Sequence, residues 1–210
     1  MFIPRHSVVE NQFCSYAEGA AWGAGGIGGV VAYAGSVVYL DPAATNEEPM
    51  VKIMADGITE TPFGFMMQKV KVGYHNVHPT GFVMPGDLGS SDAIAQPVYN
   101  NAGVIAGHKS VPVGIAHLGI FDTVHYICTA AAGTASLKMT PGQTLYPAAY
   151  QARVTNNPSL AADADGETGT AAGDTTAIAV GRVMKGASLA KCQANMDNVT
   201  LYPVRIKLLI

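Results

Sequence analysis

The chain has 210 residues, of which 49% are hydrophobic and only 13% charged, about half the ~25% charge of an average soluble domain. Its 12 Lys and Arg against 15 Asp and Glu leave a net charge of −3, and mean hydropathy is +0.21. These figures exclude an ordinary disordered chain, which combines low hydrophobicity with high charge, and exclude a basic nucleic-acid binder as the default reading.

The opening segment, MFIPRHSVVENQ, carries Glu10 and has no apolar core of leader length, so no secretory signal is expected. Gly19 to Leu40 is uncharged and long enough to cross a membrane, and it holds a Gly25-x-x-x-Gly29 helix-packing spacing. Seven of its residues are glycine, each costing about 1 kcal/mol of helix propensity, and no Lys or Arg flanks it closely. The reading is therefore a Gly-rich N-terminal arm, residues 1–30, leading into a strand, with no membrane span.

Strand signals then dominate. Val30–Leu40, Phe63–Val72, Pro97–Tyr99, Val111–Leu118, Thr123–Cys128, Ala177–Met184 and Val199–Leu209 are β-rich runs bounded by Gly, Pro, Asn or Asp. Short strands at turn-punctuated intervals argue for an all-β fold of antiparallel sandwich or barrel units with long loops. The loops are Val72–Ser91, rich in Gly, Pro and His, and Asn156–Thr176, which is small and acidic. Helical periodicity is scarce, and its best window is Ser188–Asn195. At the C-terminus Val204, Ile206 and Leu208 alternate with Arg205, Lys207 and Leu209, which predicts a half-buried strand with its cations outward. The division expected is the arm, a β-rich domain over 31–130 and a second β domain over 131–210.

A loose repeat runs through the chain. An aliphatic-Tyr pair (Val38-Tyr39, Val98-Tyr99, Leu145-Tyr146) is followed at variable spacing by an apolar-x-Gly-x-apolar stretch centred on Gly64, Gly114 and Gly181. Variable spacing argues against a solenoid and for a recurring β unit with different insertions. A Gly within a strand marks a bulge or a close backbone approach.

No motif for catalysis or cofactor binding stands out. Gly23-Ala-Gly25-Gly-Ile-Gly28 fits GxGxxG, but a β-forming segment follows it and Asp41 comes too early for the ribose acid. Gly86-Asp87-Leu-Gly89-Ser90-Ser91 is not a nucleophile elbow, and Asp87 and Asp92 beside the serines read as turn formers. Cys14, Cys128 and Cys192 are widely spaced and odd in number, as suits buried reduced thiols and not a disulfide framework; a Cys nucleophile paired with a His is the alternative. His6, His75, His78, His108, His117 and His125 show no zinc spacing, and Asp163, Asp165 and Glu167 start like a calcium loop without completing one. His75, His78 and the Asp163–Glu167 loop remain open as metal ligands, and no catalytic, cofactor or metal residue is assigned.

Residues 130–210 resemble the capsid decoration (cement) proteins of tailed bacteriophages. The motifs that carry this are Gly142-Gln-Thr-Leu-Tyr146, Ala177-Ile-Ala-Val-Gly181-Arg-Val-Met and Pro203-Val-Arg-Ile-Lys-Leu. The resemblance implies a β-rich, non-enzymatic virion protein, often a homotrimer, that binds the outside of an assembled shell through its major capsid protein and needs no cofactor, nucleic acid or membrane. It implies assembly in the host cytoplasm and residence in the particle. Low charge with abundant Gly and Ala fits a surface covered on assembly. The chain is longer than that pattern, so another virion component (tail-tube or minor head protein) is an alternative, as is a small β-barrel metal- or ligand-binding module using the histidines.

Overall fold

The computed structural model describes residues 2–5, 9–19, 30–42, 49–54, 60–72, 93–99, 101–103, 105–128, 138–148, 152–157, 178–196 and 200–209. These form a β-rich fold with one helix. In chain order the strands are β1 (Phe2–Pro4), β2 (Val9–Gly19), β3 (Val30–Ala32), β4 (Val37–Leu40), β5 (Met50–Ile53), β6 (Pro62–Met66), β7 (Val70–Val72), β8 (Ala93–Tyr99) and β9 (Ile105–Leu118). There follow β10 (Ile120–Thr123), β11 (Tyr126–Ile127), β12 (Thr144–Pro147), β13 (Val154–Thr155), β14 (Gly181–Lys185), the helix α1 (Leu189–Met196) and β15 (Val204–Leu208).

One sheet has seven strands in the order β1-β10-β15-β14-β12-β13-β11, drawn from both sides of residue 130. The other has eight, β2-β5-β4-β6-β9-β8-β7-β3, and a further β2–β9 pairing closes β2, β5, β4, β6 and β9 into a ring. Most neighbours are antiparallel, as expected. Three pairs depart from that expectation: β2 with β5, β7 with β8 and β11 with β13 are parallel. Each joins strands separated by a long connection, as parallel pairing requires. The helix qualifies the all-β expectation and lies where Ser188–Asn195 was read.

β4, β6 and the Val113–Ala116 part of β9 bury residues of both faces, which is why they read as apolar runs with little alternation. Val37, Phe65 and Ala116 are opposite one another across the three strands and join the larger core, shared with the seven-stranded sheet. Val38, Met66 and Ile115 point the other way, into a smaller core with Cys14, Val51, Val70 and Val113. The expected strand over Val30–Leu40 is broken into β3 and β4 by a turn. There the Ser36 amide donates to the Tyr33 carbonyl (3.0 Å) and Gly35 takes φ +98°, the third-position geometry of a type II turn.

The repeat has a structural counterpart. In each unit the aliphatic residue before the Tyr stands opposite a glycine on an antiparallel partner: Val38 opposite Gly64, Val98 opposite Gly107 and Leu145 opposite Gly181. The second glycine is thus Gly107 and not Gly114. A Cβ on Gly64 would meet Ile115 Cγ2 and the Ala116 carbonyl oxygen (2.9 Å), and one on Gly181 would stand 2.9 Å from the Lys207 carbonyl oxygen. These glycines let the next strand, β9 or β15, come in close.

The N-terminal residues differ from the arm reading. β1 pairs with β10 at the edge of the seven-stranded sheet, and the Arg5 amide donates to the Ile120 carbonyl at 2.7 Å. Phe2 is 1% exposed. Its ring stacks on Phe121 (4.2 Å between centroids) and on Phe65 (5.8 Å), so one side chain contacts a ring from each sheet. Burial of an aromatic side chain contributes about 1.5–3 kcal/mol, enough to hold a short terminal strand. β2 occupies residues 9–19, and the Gly-rich residues 20–29 lie outside the described residues.

The C-terminal strand follows its alternation: Val204, Ile206 and Leu208 are fully buried, Arg205 is half-buried and Lys207 exposed. It sits between β10 and β14. Ile206→Ala is expected to cost about 2–5 kcal/mol in urea unfolding. Lys207→Ala should stay within about 0.5 kcal/mol. Equal losses for the two would overturn the orientation.

Candidate functional site

The three cysteines are free and buried. Burial pushes the Cys14 thiol up to about 11. Burial, followed by the neighbouring Cys192 side chain, pushes Cys128 well above the ordinary thiol range. Both stay protonated at neutral pH, unlike a reactive thiolate. Cys128 lies beside Cys192, and both lie near Tyr126. Tyr126 itself donates its hydroxyl to the Tyr202 carbonyl at 2.9 Å.

His117 and His125 occupy separate places. His117 Nδ1 lies 2.8 Å from the Phe63 carbonyl, with its ring edge-on to that of Phe63. His125 Nε2 is 3.1 Å from Ser36 Oγ, and its ring stacks on Tyr33 at 5.2 Å. His108 lies on β9, in register with Glu18 of β2 and Pro97 of β8. His6, His75, His78, the Gly23–Gly28 motif, the Gly86–Ser91 turn and the Asp163–Glu167 loop lie outside the described residues. Among the described residues no three His, Cys, Asp or Glu side chains gather as a metal site would require, and no helix is long and apolar enough to cross a membrane.

The Ser36–His125 pair has the residue types of a nucleophile and its base. Its surroundings assign it a different task. Ser36 is fully buried and also accepts the Tyr33 amide (3.3 Å), while the His125 amide donates to Thr123 Oγ1 (3.0 Å). The pair ties the Tyr33–Ser36 turn of one sheet to the end of β10 in the other. An isolated buried imidazole would cost about 1–3 kcal/mol, which the serine avoids. Eighty-nine positions separate the two residues, so no local spacing announces them.

The most distinctive chemistry lies on the outer face of the seven-stranded sheet. Asp122 on β10 accepts Arg5 Nε at 2.7 Å, Arg205 Nε at 2.8 Å and an Arg205 terminal nitrogen at 3.2 Å. The Arg205 hydrogen bond, opposed by burial and reinforced by Arg5, holds the Asp122 carboxyl below the usual carboxylate range. Beside this clamp the face carries further cations: Arg182 and Lys185 on β14 and Lys207 on β15, all exposed. At one end of β15 the Leu208 amide donates to the Gly119 carbonyl (3.0 Å) and the Leu209 amide to the Val180 carbonyl (3.1 Å). These bonds bring the segments carrying the exposed Leu118, Ile178 and Leu209 side by side. The alternation in the sequence marks Arg205 and Lys207 as outward. Asp122 and Arg5 carry no such signal, because their placement depends on the register of β1 and β10.

Against this geometry, no protein-family model, curated protein or solved structure matches the chain.

The clamp makes a pH prediction. A carboxyl whose value is lowered on folding adds stability above its unfolded value of about 3.9 and loses it as pH falls through the folded value. The difference in melting temperature between the natural protein and Asp122→Asn should therefore be full at pH 6 and shrink steadily below about pH 4. A difference independent of pH from 6 to 2 would contradict the clamp.

Proposed function

We propose that this chain is a structural, non-enzymatic virion protein that binds the outside of an assembled phage capsid, through the major capsid protein, and stabilises it. Its working form is a homotrimer, and its place is the particle, reached after assembly in the host cytoplasm. The ring β2–β5–β4–β6–β9 is read as a small barrel unit, and the seven-stranded sheet packed on its β4–β6–β9 side as the second layer of a sandwich.

The observation that supports the reading is where apolar side chains are left in solvent. Seven large ones are exposed among the described residues, and five of them, Ile178, Met184, Leu189, Leu201 and Leu209, come from residues 178–209. That segment belongs to the stretch resembling decoration proteins. A contiguous exposed apolar patch marks a surface that a partner covers, and the exposed side chains of this segment are read as contributing to one.

Mixing purified protein with capsids that lack it tests the reading. The expected result is saturable, ordered added density by electron microscopy and a higher particle melting temperature. Sedimentation equilibrium should give a trimer at micromolar concentration. Density without a gain in particle stability would support attachment and reject the cement role, and absence of binding would reject both.

A further inference from the structure

We propose that the outer face of β10, β15 and β14 is a docking surface for a carboxylate-rich protein surface. This rests on the attachment reading above and adds the chemistry of what is contacted.

Two registers define the face. One row across the strands reads Ile3, Asp122, Arg205, Lys185, and the next reads Ile120, Lys207, Arg182, Thr144. Two like-charge pairs therefore stand directly opposite each other: Arg205 with Lys185, and Lys207 with Arg182. Like charges in that position destabilise a sheet. Neighbouring strands are about 4.8 Å apart and the rows on β15, two residues along, about 7 Å apart, with a bulge on β14 between them, so the sheet fixes where each cationic side chain starts. In the first row Asp122 already draws on Arg205 and Arg5. In the second, among the described residues, no carboxylate forms an ion pair with Lys207 or Arg182. Among the described residues the Arg182 guanidinium makes a single, 3.4 Å hydrogen bond, to the Gly142 carbonyl.

Asp122 is the internal example of the ligand. It accepts two hydrogen bonds from one guanidinium and one from another, the charge-assisted geometry that a carboxylate matches well. A carboxylate from outside, laid over Lys207 and Arg182, would turn a repulsive pair into an attractive site, as Asp122 does for Arg205. A nucleic acid fits less well. Binding of a polyphosphate depends on many neutralised charges along an extended backbone, and this face offers only a few. A few discrete cations at strand spacing suit discrete carboxylates on a folded surface.

The test uses the full chain, with poly-L-glutamate as the carboxylate probe and a single-stranded DNA oligonucleotide as the phosphate comparison. Amide chemical shifts should move at Arg182, Lys185 and Lys207 on adding polyglutamate, and binding should weaken as salt rises. Lys207→Glu should weaken binding by about tenfold or more. It should also raise the melting temperature of the free protein by about 1–3 °C, because the new carboxylate faces Arg182. That opposite movement of stability and binding shows that any loss of binding is not a loss of fold. Shifts confined to other strands, tighter binding of DNA on this face, or unchanged polyglutamate binding by Lys207→Glu would each overturn the proposal. Particle attachment that survives Lys207→Glu unchanged overturns it too, while leaving the attachment reading standing. Polyglutamate bound on this face by a protein that does not attach to particles supports the surface and removes the attachment reading alone.

Discussion

Phe2 lies with its ring against Phe121 of the seven-stranded sheet and Phe65 of the eight-stranded one, parallel to both within 8°. Almost everything else in the molecule depends on that contact between layers. Val37, Phe65 and Ala116 form a continuous row on the β4–β6–β9 face. They share one core with Phe121, Val183, Val204, Ile206 and Leu208 from the other sheet. Adjacent offset aromatic rings add about 0.5–1.5 kcal/mol beyond the area they bury. The second link between the layers is polar: Ser36 of the Tyr33–Ser36 turn meets His125 at the end of β10. An apolar stack and a satisfied polar pair thus fix the two sheets at separate points.

With the inner face of β10, β15 and β14 committed to that core, every second residue must point outward. Together with a bulge between Val183 and Lys185 on β14, this puts Asp122, Arg205, Lys207, Arg182 and Lys185 on one face. Arg5 reaches the same face because β1 is held in place by Phe2. The packing that stabilises the fold therefore also creates the charged grid, and the glycine at 181, against the Lys207 carbonyl, keeps β14 and β15 close enough for the rows to face each other. The proposed docking role is a consequence of register, without any cleft.

Legibility in the sequence tracked how locally each feature was determined. β15 was readable because its apolar and cationic residues alternate over only five positions. α1 was readable from its periodicity, and β4 and β6 from apolar runs set between turn residues. β1 was not: it is three residues long and ends in Pro4, a residue tolerated at a sheet edge but a poor strand signal. β2 was missed because VENQFCSYAEG mixes polar and apolar residues without clean alternation, and its strand character comes from pairing with β5 and β9. The repeat was half readable. Its aliphatic-Tyr pairs do lie on β4, β8 and β12, but which glycine stands opposite Val98 is a matter of register, and Gly107 answers it. Ser36 with His125 and Asp122 with Arg5 are joined across 89 and 117 positions, where only folding brings them together.

The central claim is that the first strand is an integral part of the two-layer core. Native-state hydrogen exchange of the Arg5 amide, which donates to the Ile120 carbonyl, tests it most directly. The account predicts protection of that amide comparable to the amides of β15, with both lost together as denaturant is added. An Arg5 amide that exchanges as fast as a free terminus while β15 stays protected would contradict it.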